Sequence, residues 1–178
     1  MLPDRFHSFE TQEPFVTCLT CDQNLNTLEA PYTVSKIFRR GECVMEYAMC
    51  MPCRQGVARD FSEESQRTLE AFFDDKVNLA QRSLALEENE SLEDWTKSCL
   101  VCKSLQNEET GYSLAAMAYR DTMIFDPFPM MVCGNCEEEI QGKLSKTTRE
   151  RWNRFVGENF PGPPATADTP TGGVPVLI

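Results

Sequence analysis

Apolar and polar residues alternate loosely in two β-prone runs, YTVSKIF and ECVMEYAM, on either side of Arg40-Gly41. Alternation at a period of two turns one strand face toward a core, and glycine at the connection lets such runs close into a hairpin. The stretch YSLAAMAYRDTMIFDPFPMMV repeats the pattern with Arg120-Asp121 at the turn. Pro127 and Pro129 fall in its second run. Proline brings no N–H to a ladder, so this run is expected at an edge or with a bulge.

After each hairpin the period changes. Leu69, Phe72, Phe73, Val77, Ala80 and Leu84 fall on one helical face and predict one long helix. Trp152, Phe155 and Val156 predict a second helix, stopped by Gly157 and Pro161. Ser62 and Ser145 precede these helices, where a hydroxyl can cap free N–H groups, and Ser91 is the candidate cap of a short helix through Trp95. Glu87-Glu88-Asn89-Glu90-Ser91 reads as a hinge. The stretch from Pro161 to Ile178, rich in Pro, Gly and Thr, reads as a mobile tail whose apolar last five residues are read as a solvated end, with a docking peptide as the alternative.

The elements repeat. Cys18-Leu19-Thr20-Cys21 aligns with Cys99-Leu100-Val101-Cys102 at an offset of 81 residues, and Cys50/Cys53 aligns with Cys133/Cys136 at 83. At the latter offset Val57, Phe61, Ser62, Leu69, Phe72 and Phe73 meet Ile140, Leu144, Ser145, Trp152, Phe155 and Val156. Size and polarity persist while identity is mostly lost, as in an internal duplication.

Eight of the nine cysteines thus lie in four Cys-x-x-Cys pairs, with Cys43 alone. A pair at this spacing can place two sulfurs on one ion, and two pairs complete a tetrahedron. Local pairing within each copy is favoured, because 45 largely helical residues separate Cys53 from Cys99. Cys18, Cys21, Cys50 and Cys53 form one expected zinc site, and Cys99, Cys102, Cys133 and Cys136 the other. Two Zn2+ ions would be held, one per site. An iron site of rubredoxin type would use the same four sulfurs. Redox catalysis fits less well, since it needs one active pair in a βαβ setting. Cys43 reads as a semi-buried small side chain.

The order of knuckle, hairpin, second knuckle and helix resembles the treble-clef class of zinc fingers, carried by those eight cysteines. The resemblance implies an α+β chain of two tandem zinc-stabilised units. The expected division is an N-terminal segment 1–14, a first unit 15–90 with a long acidic helix, a second unit 91–160, and the tail 161–178.

Composition narrows the function. The 178 residues carry 28 Asp and Glu against 17 Lys and Arg, a net charge of -11, which disfavours global attraction to nucleic acid or anionic lipid. No secretory leader and no membrane span is legible, which points to the cytoplasm, where thiols stay reduced. His7 is the single histidine and has no nucleophile or ligand partner in the sequence. All paired thiols are committed to closed sites, so no catalysis is expected and a protein-interaction adaptor is the leading reading. The alternative is a nucleic-acid-binding regulator using the basic helix with Lys143, Lys146, Arg149, Arg151 and Arg154, beside Arg39, Arg40 or Arg120.

Overall fold

The computed structural model describes residues 1–86 and 91–160. The expected hinge at 87–90 and the tail from 161 lie outside the described residues. The strands are β1 (Tyr32–Arg39), β2 (Glu42–Cys50), β3 (Tyr112–Tyr119), β4 (Thr122–Ile124) and β5 (Met130–Cys133). The helices are α1 (Met51–Arg59), α2 (Glu63–Lys76), α3 (Leu79–Leu86), α4 (Leu92–Thr96), α5 (Gly134–Lys143) and α6 (Lys146–Asn159). This is a mixed α+β chain with an antiparallel sheet.

The first hairpin turns at Arg40 and Gly41, whose φ angles are 52° and 81°. Two successive left-handed residues match the twist of the strands they join. In the second hairpin β4 ends after three residues, the chain leaves the sheet through Asp126-Pro127-Phe128-Pro129, and β5 returns to pair with β3. The two prolines account for that interruption.

The hairpins join. The sheet runs β2-β1-β3-β4, with β5 also on β3. β1 and β3 pair antiparallel from Tyr32 opposite Ala118 to Phe38 opposite Tyr112, centred on Ser35 opposite Ala115. Ser35 and Ala115 hold equivalent places in the two copies, so the halves meet about an internal two-fold axis. Each half thereby covers the strand edge that the other would leave open.

A second contact on this axis joins the helix starts. Ser62 and Ser145 cap their own helices, accepting from the N–H groups of Ser65 and Thr148. Their hydroxyls also lie 2.8 Å apart. The caps are then reciprocated across the axis: Ser62 N–H donates to Thr148 Oγ1 at 3.0 Å, and Ser145 N–H donates to Ser65 Oγ at 2.9 Å. Ser65 and Thr148 are fully buried, so water does not compete for these groups.

The expected long helix is two helices. Val77 satisfies the apolar stripe but is extended at φ -125°, ψ 117°. Asn78 then restarts the helix, its Oδ1 accepting from Gln81 N–H at 2.8 Å. The break lets α3 dock on the second half. Arg82 donates to the carbonyls of Trp95, Pro127 and Pro129 at 2.6–2.9 Å and lies 4.3 Å from the Trp95 ring centre.

Both sheet faces are covered. Residues 36 and 37 point to opposite faces. Ser113, opposite Ile37, bonds Glu137 of α5, whereas Lys36 meets the N-terminal segment. Lys36 is fully buried, pairs with Glu46 at 3.3 Å, donates to the His7 carbonyl, and lies 4.4 Å from the Phe9 ring centre. Glu46 also accepts from Ser8 Oγ and Phe9 N–H, both at 2.8 Å. Arg5 reaches the other half at Thr96 and Gln106. The segment before the first knuckle is therefore a strap across both halves, with Leu2 and Phe6 in the core.

Candidate metal centres

Each first knuckle is a tight loop built by main-chain bonds. Cys18 N–H donates to the Gln23 carbonyl at 3.0 Å, and Asp22 N–H returns to the Cys18 carbonyl at 3.0 Å. Cys99 and Ser104 make the same bond at 2.7 Å, and Lys103 returns to Cys99 at 3.0 Å. Asp22 and Lys103 close the loops in the left-handed region, at φ 56° and 63°. Bridges from Thr17 to Asn24 and from Ser98 to Leu105 seal the bases.

The second knuckles are helix starts. Cys50 and Cys133 end β2 and β5 as the N-caps of α1 and α5, which puts Cys53 and Cys136 in the first turn. The hairpins carry these starts to the knuckle loops. Leu19 N–H bonds the Ala48 carbonyl at 2.9 Å, and Leu100 N–H bonds the Met131 carbonyl at 2.7 Å.

The result is two groups of four thiols: Cys18, Cys21, Cys50 and Cys53, and Cys99, Cys102, Cys133 and Cys136. Within each group the sulfurs all lie within 4.8 Å of one another. Cys18 and Cys50 are 3.7 Å apart, Cys21 and Cys50 3.9 Å, and Cys102 and Cys133 3.6 Å. A disulfide requires about 2.05 Å. Zinc–sulfur bonds of about 2.3 Å in a tetrahedron give sulfur–sulfur edges of about 3.8 Å. The residues therefore fit a tetrahedral ion bound by four thiolates.

Local hydrogen bonds favour ionised sulfur. Cys50 N–H points at Cys18 Sγ and Cys133 N–H at Cys99 Sγ, both at 3.4 Å. Burial works against the Cys18 thiolate, but N–H donors from Cys50, Cys21 and Thr20 outweigh it and bring the pKa to about 7. At Cys102 burial is likewise overcome, here by the hydroxyl and N–H of Ser104, and the pKa falls to about 6. Ser104 Oγ lies 3.0 Å from that sulfur. Burial, reinforced by neighbouring thiols, pushes Cys53 and Cys136 upward. One thiolate forms readily in each group and opposes the others until a cation compensates them.

The chain matches no family model, no curated protein and no solved structure. The chemistry of the donors therefore carries the functional reading.

The remaining candidates are dispersed. Cys43 is half-buried, its sulfur 3.6 Å from the Met45 carbonyl, and burial raises its pKa. His7 faces two backbone carbonyls, those of Leu2 and Gln12. The five basic residues from Lys143 to Arg154 are all exposed, and three of them have partners within the chain. Lys143 reaches Glu139 and the Phe72 ring, Lys146 pairs with Glu150, and Arg151 donates to the Asp60 carbonyl. Arg149 and Arg154 are exposed without an ion pair among the described residues. Arg39 is taken by Glu137 at 2.7 Å.

Sequence reasoning missed the donors around the sulfurs. Main-chain N–H groups leave no trace in residue type. Ser104, two places after Cys102, is visible but commonplace. Buried Glu137 was legible only as one of three glutamates after Cys136. Among the described residues no helix is long and apolar enough to cross a membrane.

Proposed function

We propose that the chain is a noncatalytic zinc-binding adaptor. Two treble-clef-like units each fold around one Zn(Cys)4 site and together present a surface to another protein. The observation that carries this reading is the pair of four-sulfur groups at tetrahedral spacing. Bound zinc would neutralise the thiolates and tie each knuckle loop to its helix start. The chain's own part is to orient the sulfurs and donate N–H groups to them. With four protein ligands a site is closed, leaving no position for substrate. The net charge of -11 favours a protein partner over nucleic acid.

Elemental analysis of protein purified without added metal tests the core of this reading. Close to two zinc ions per chain and no iron are expected; a folded protein with neither metal would sink it. Structural zinc contributes apparent binding free energy of about 10 to 16 kcal/mol in small fingers, against about 5 to 15 kcal/mol for a whole domain. Chelation should therefore abolish the near-UV signal and most of the far-UV signal together, since both sites hang on one sheet.

A further inference from the structure

We propose that the groove between α1 and α2 receives a basic amphipathic helix from a partner protein, an inference that rests on the adaptor reading and specifies its surface. The groove encloses about 440 Å3 and is floored by Ala58, Phe61, Leu69 and Phe73. That volume lies in the range of formed binding pockets, about 300 to 1,000 Å3. Gln66 holds its shape by tying α2 to the end of α1: its amide donates to the Ala58 and Phe61 carbonyls at 3.2 and 3.0 Å.

The length suits a helix. Groove residues on α2 run from Gln66 to Asp74, about 12 Å at a rise of about 1.5 Å per residue. This is the span of side chains at i, i+3 or i+4, and i+7 of a docked helix, the recurrent way an amphipathic helix enters an apolar groove.

Charge selects the kind of helix. Glu70 and Asp74 stand four residues apart on the α2 rim, both exposed and without an ion pair among the described residues. Arg59, on the α1 side, is the one cation lining the groove among the described residues. The places of Glu70 and Asp74 in the second copy hold Asn153 and Gly157, and that of Gln66 holds Arg149. The acidic rim thus belongs to the first half alone and is not a by-product of the repeat. A helix with apolar anchors and Lys or Arg facing α2 meets both features, and like charge disfavours an acidic one.

The test is selection of displayed helical peptides of randomised sequence on the zinc-loaded full chain. Two counter-screens follow, the rim variant Glu70→Lys/Asp74→Lys and the groove variant Ala58→Glu, each checked for zinc content and circular dichroism. The expected winners carry apolar residues at i, i+3 or i+4, and i+7 with flanking Lys or Arg, and bind each variant at least tenfold more weakly. Winners that bind both variants as well as wild type lie elsewhere; that result overturns the groove and leaves the adaptor reading standing. Acidic or neutral winners unaffected by the rim variant overturn the charge assignment. No winner on any surface counts against groove and adaptor alike. Binding that appears only when Leu177→Asp is introduced would assign the groove to the apolar end of this chain and overturn the partner helix.

Discussion

At Cys18 and at Cys99 the chain makes the same bonds with different side chains. Both loops close through a left-handed residue, and both first-knuckle sulfurs accept an N–H from the cysteine that ends the hairpin. The next N–H is also matched: Met51 N–H meets the Pro31 carbonyl, and Gly134 N–H meets the Gly111 carbonyl, both at 2.9 Å. Yet Asp22 stands where Lys103 stands, Met51 where Gly134 does, and buried Arg54 where buried Glu137 does. A duplicated thiolate site thus keeps its main-chain donors, which no side-chain exchange removes, while the charges around it change sign.

The largest expected difference between the sites is at the second knuckle. A Cβ on Gly134 would overlap the Thr110 carbonyl oxygen, a main-chain atom that cannot swing aside. Gly134→Ala should cost about 3 kcal/mol, the upper part of the overpacking range, and displace Cys133 and Cys136. Met51→Ala at the matching place loses only part of a half-buried side chain, about 0.5 to 1 kcal/mol. Chelator competition reads this directly. With both proposed sites loaded, Gly134→Ala should release one metal early and Met51→Ala neither; equal release from both variants would refute the asymmetry.

Much of this comparison was legible in the sequence. The four cysteine pairs, the offsets of the repeat, the turns at Arg40 and Arg120, and the caps Ser62 and Ser145 follow from local chemistry, which spacing and residue type record. The union of the hairpins across Ser35 and Ala115 does not, because β1 and β3 lie some 80 residues apart and nothing in either strand names its neighbour. The break at Val77 was hidden because Val77 fits the helical stripe, and the signal was the next residue, Asn78, acting as a cap. The strap was hidden because Leu2 and Phe6 form no periodic run, and its anchor Lys36 reads as a solvent-facing strand residue.

The axis between the halves is the next place to probe, with a smaller effect. Ser65→Ala strips the acceptor from Ser145 N–H, and Thr148→Ala strips it from Ser62 N–H. Each should cost about 1 to 2 kcal/mol, as for a lost cap with a buried donor left unpaired. The four hydroxyls share bonds of 2.8–3.2 Å, so the two losses should depart from additivity by about 0.5 to 1 kcal/mol. A denaturation double-mutant cycle measures this. Additive losses each below about 0.5 kcal/mol would mean that the sheet alone holds the halves together.

The smallest expected effect separates conformation from charge at the first knuckles. Lys103 holds φ 63° and Asp22 holds φ 56°. Aspartate and asparagine tolerate that region, whereas lysine pays more of the left-handed penalty of about 1 to 2 kcal/mol. Charge acts in the opposite sense, since four thiolates around the proposed zinc ion would carry a net negative charge that favours lysine over aspartate nearby. Lys103 and Asp22 are exposed, and exposed pairs are worth about 0 to 1 kcal/mol and are screened by salt. Conformation should therefore win narrowly: Lys103→Asn is expected to stabilise by about 0.5 kcal/mol, after losing the bond from Lys103 Nζ to the Leu100 carbonyl at 2.7 Å. Asp22→Asn leaves the conformational preference unchanged and should gain only the electrostatic share, at most about 0.3 kcal/mol. Added salt should shrink the Asp22→Asn gain and enlarge the Lys103→Asn gain. If Lys103→Asn instead destabilises at low salt and recovers as salt is added, charge outweighs backbone strain at this knuckle, and the exchange of Asp22 for Lys103 is an electrostatic difference between the sites.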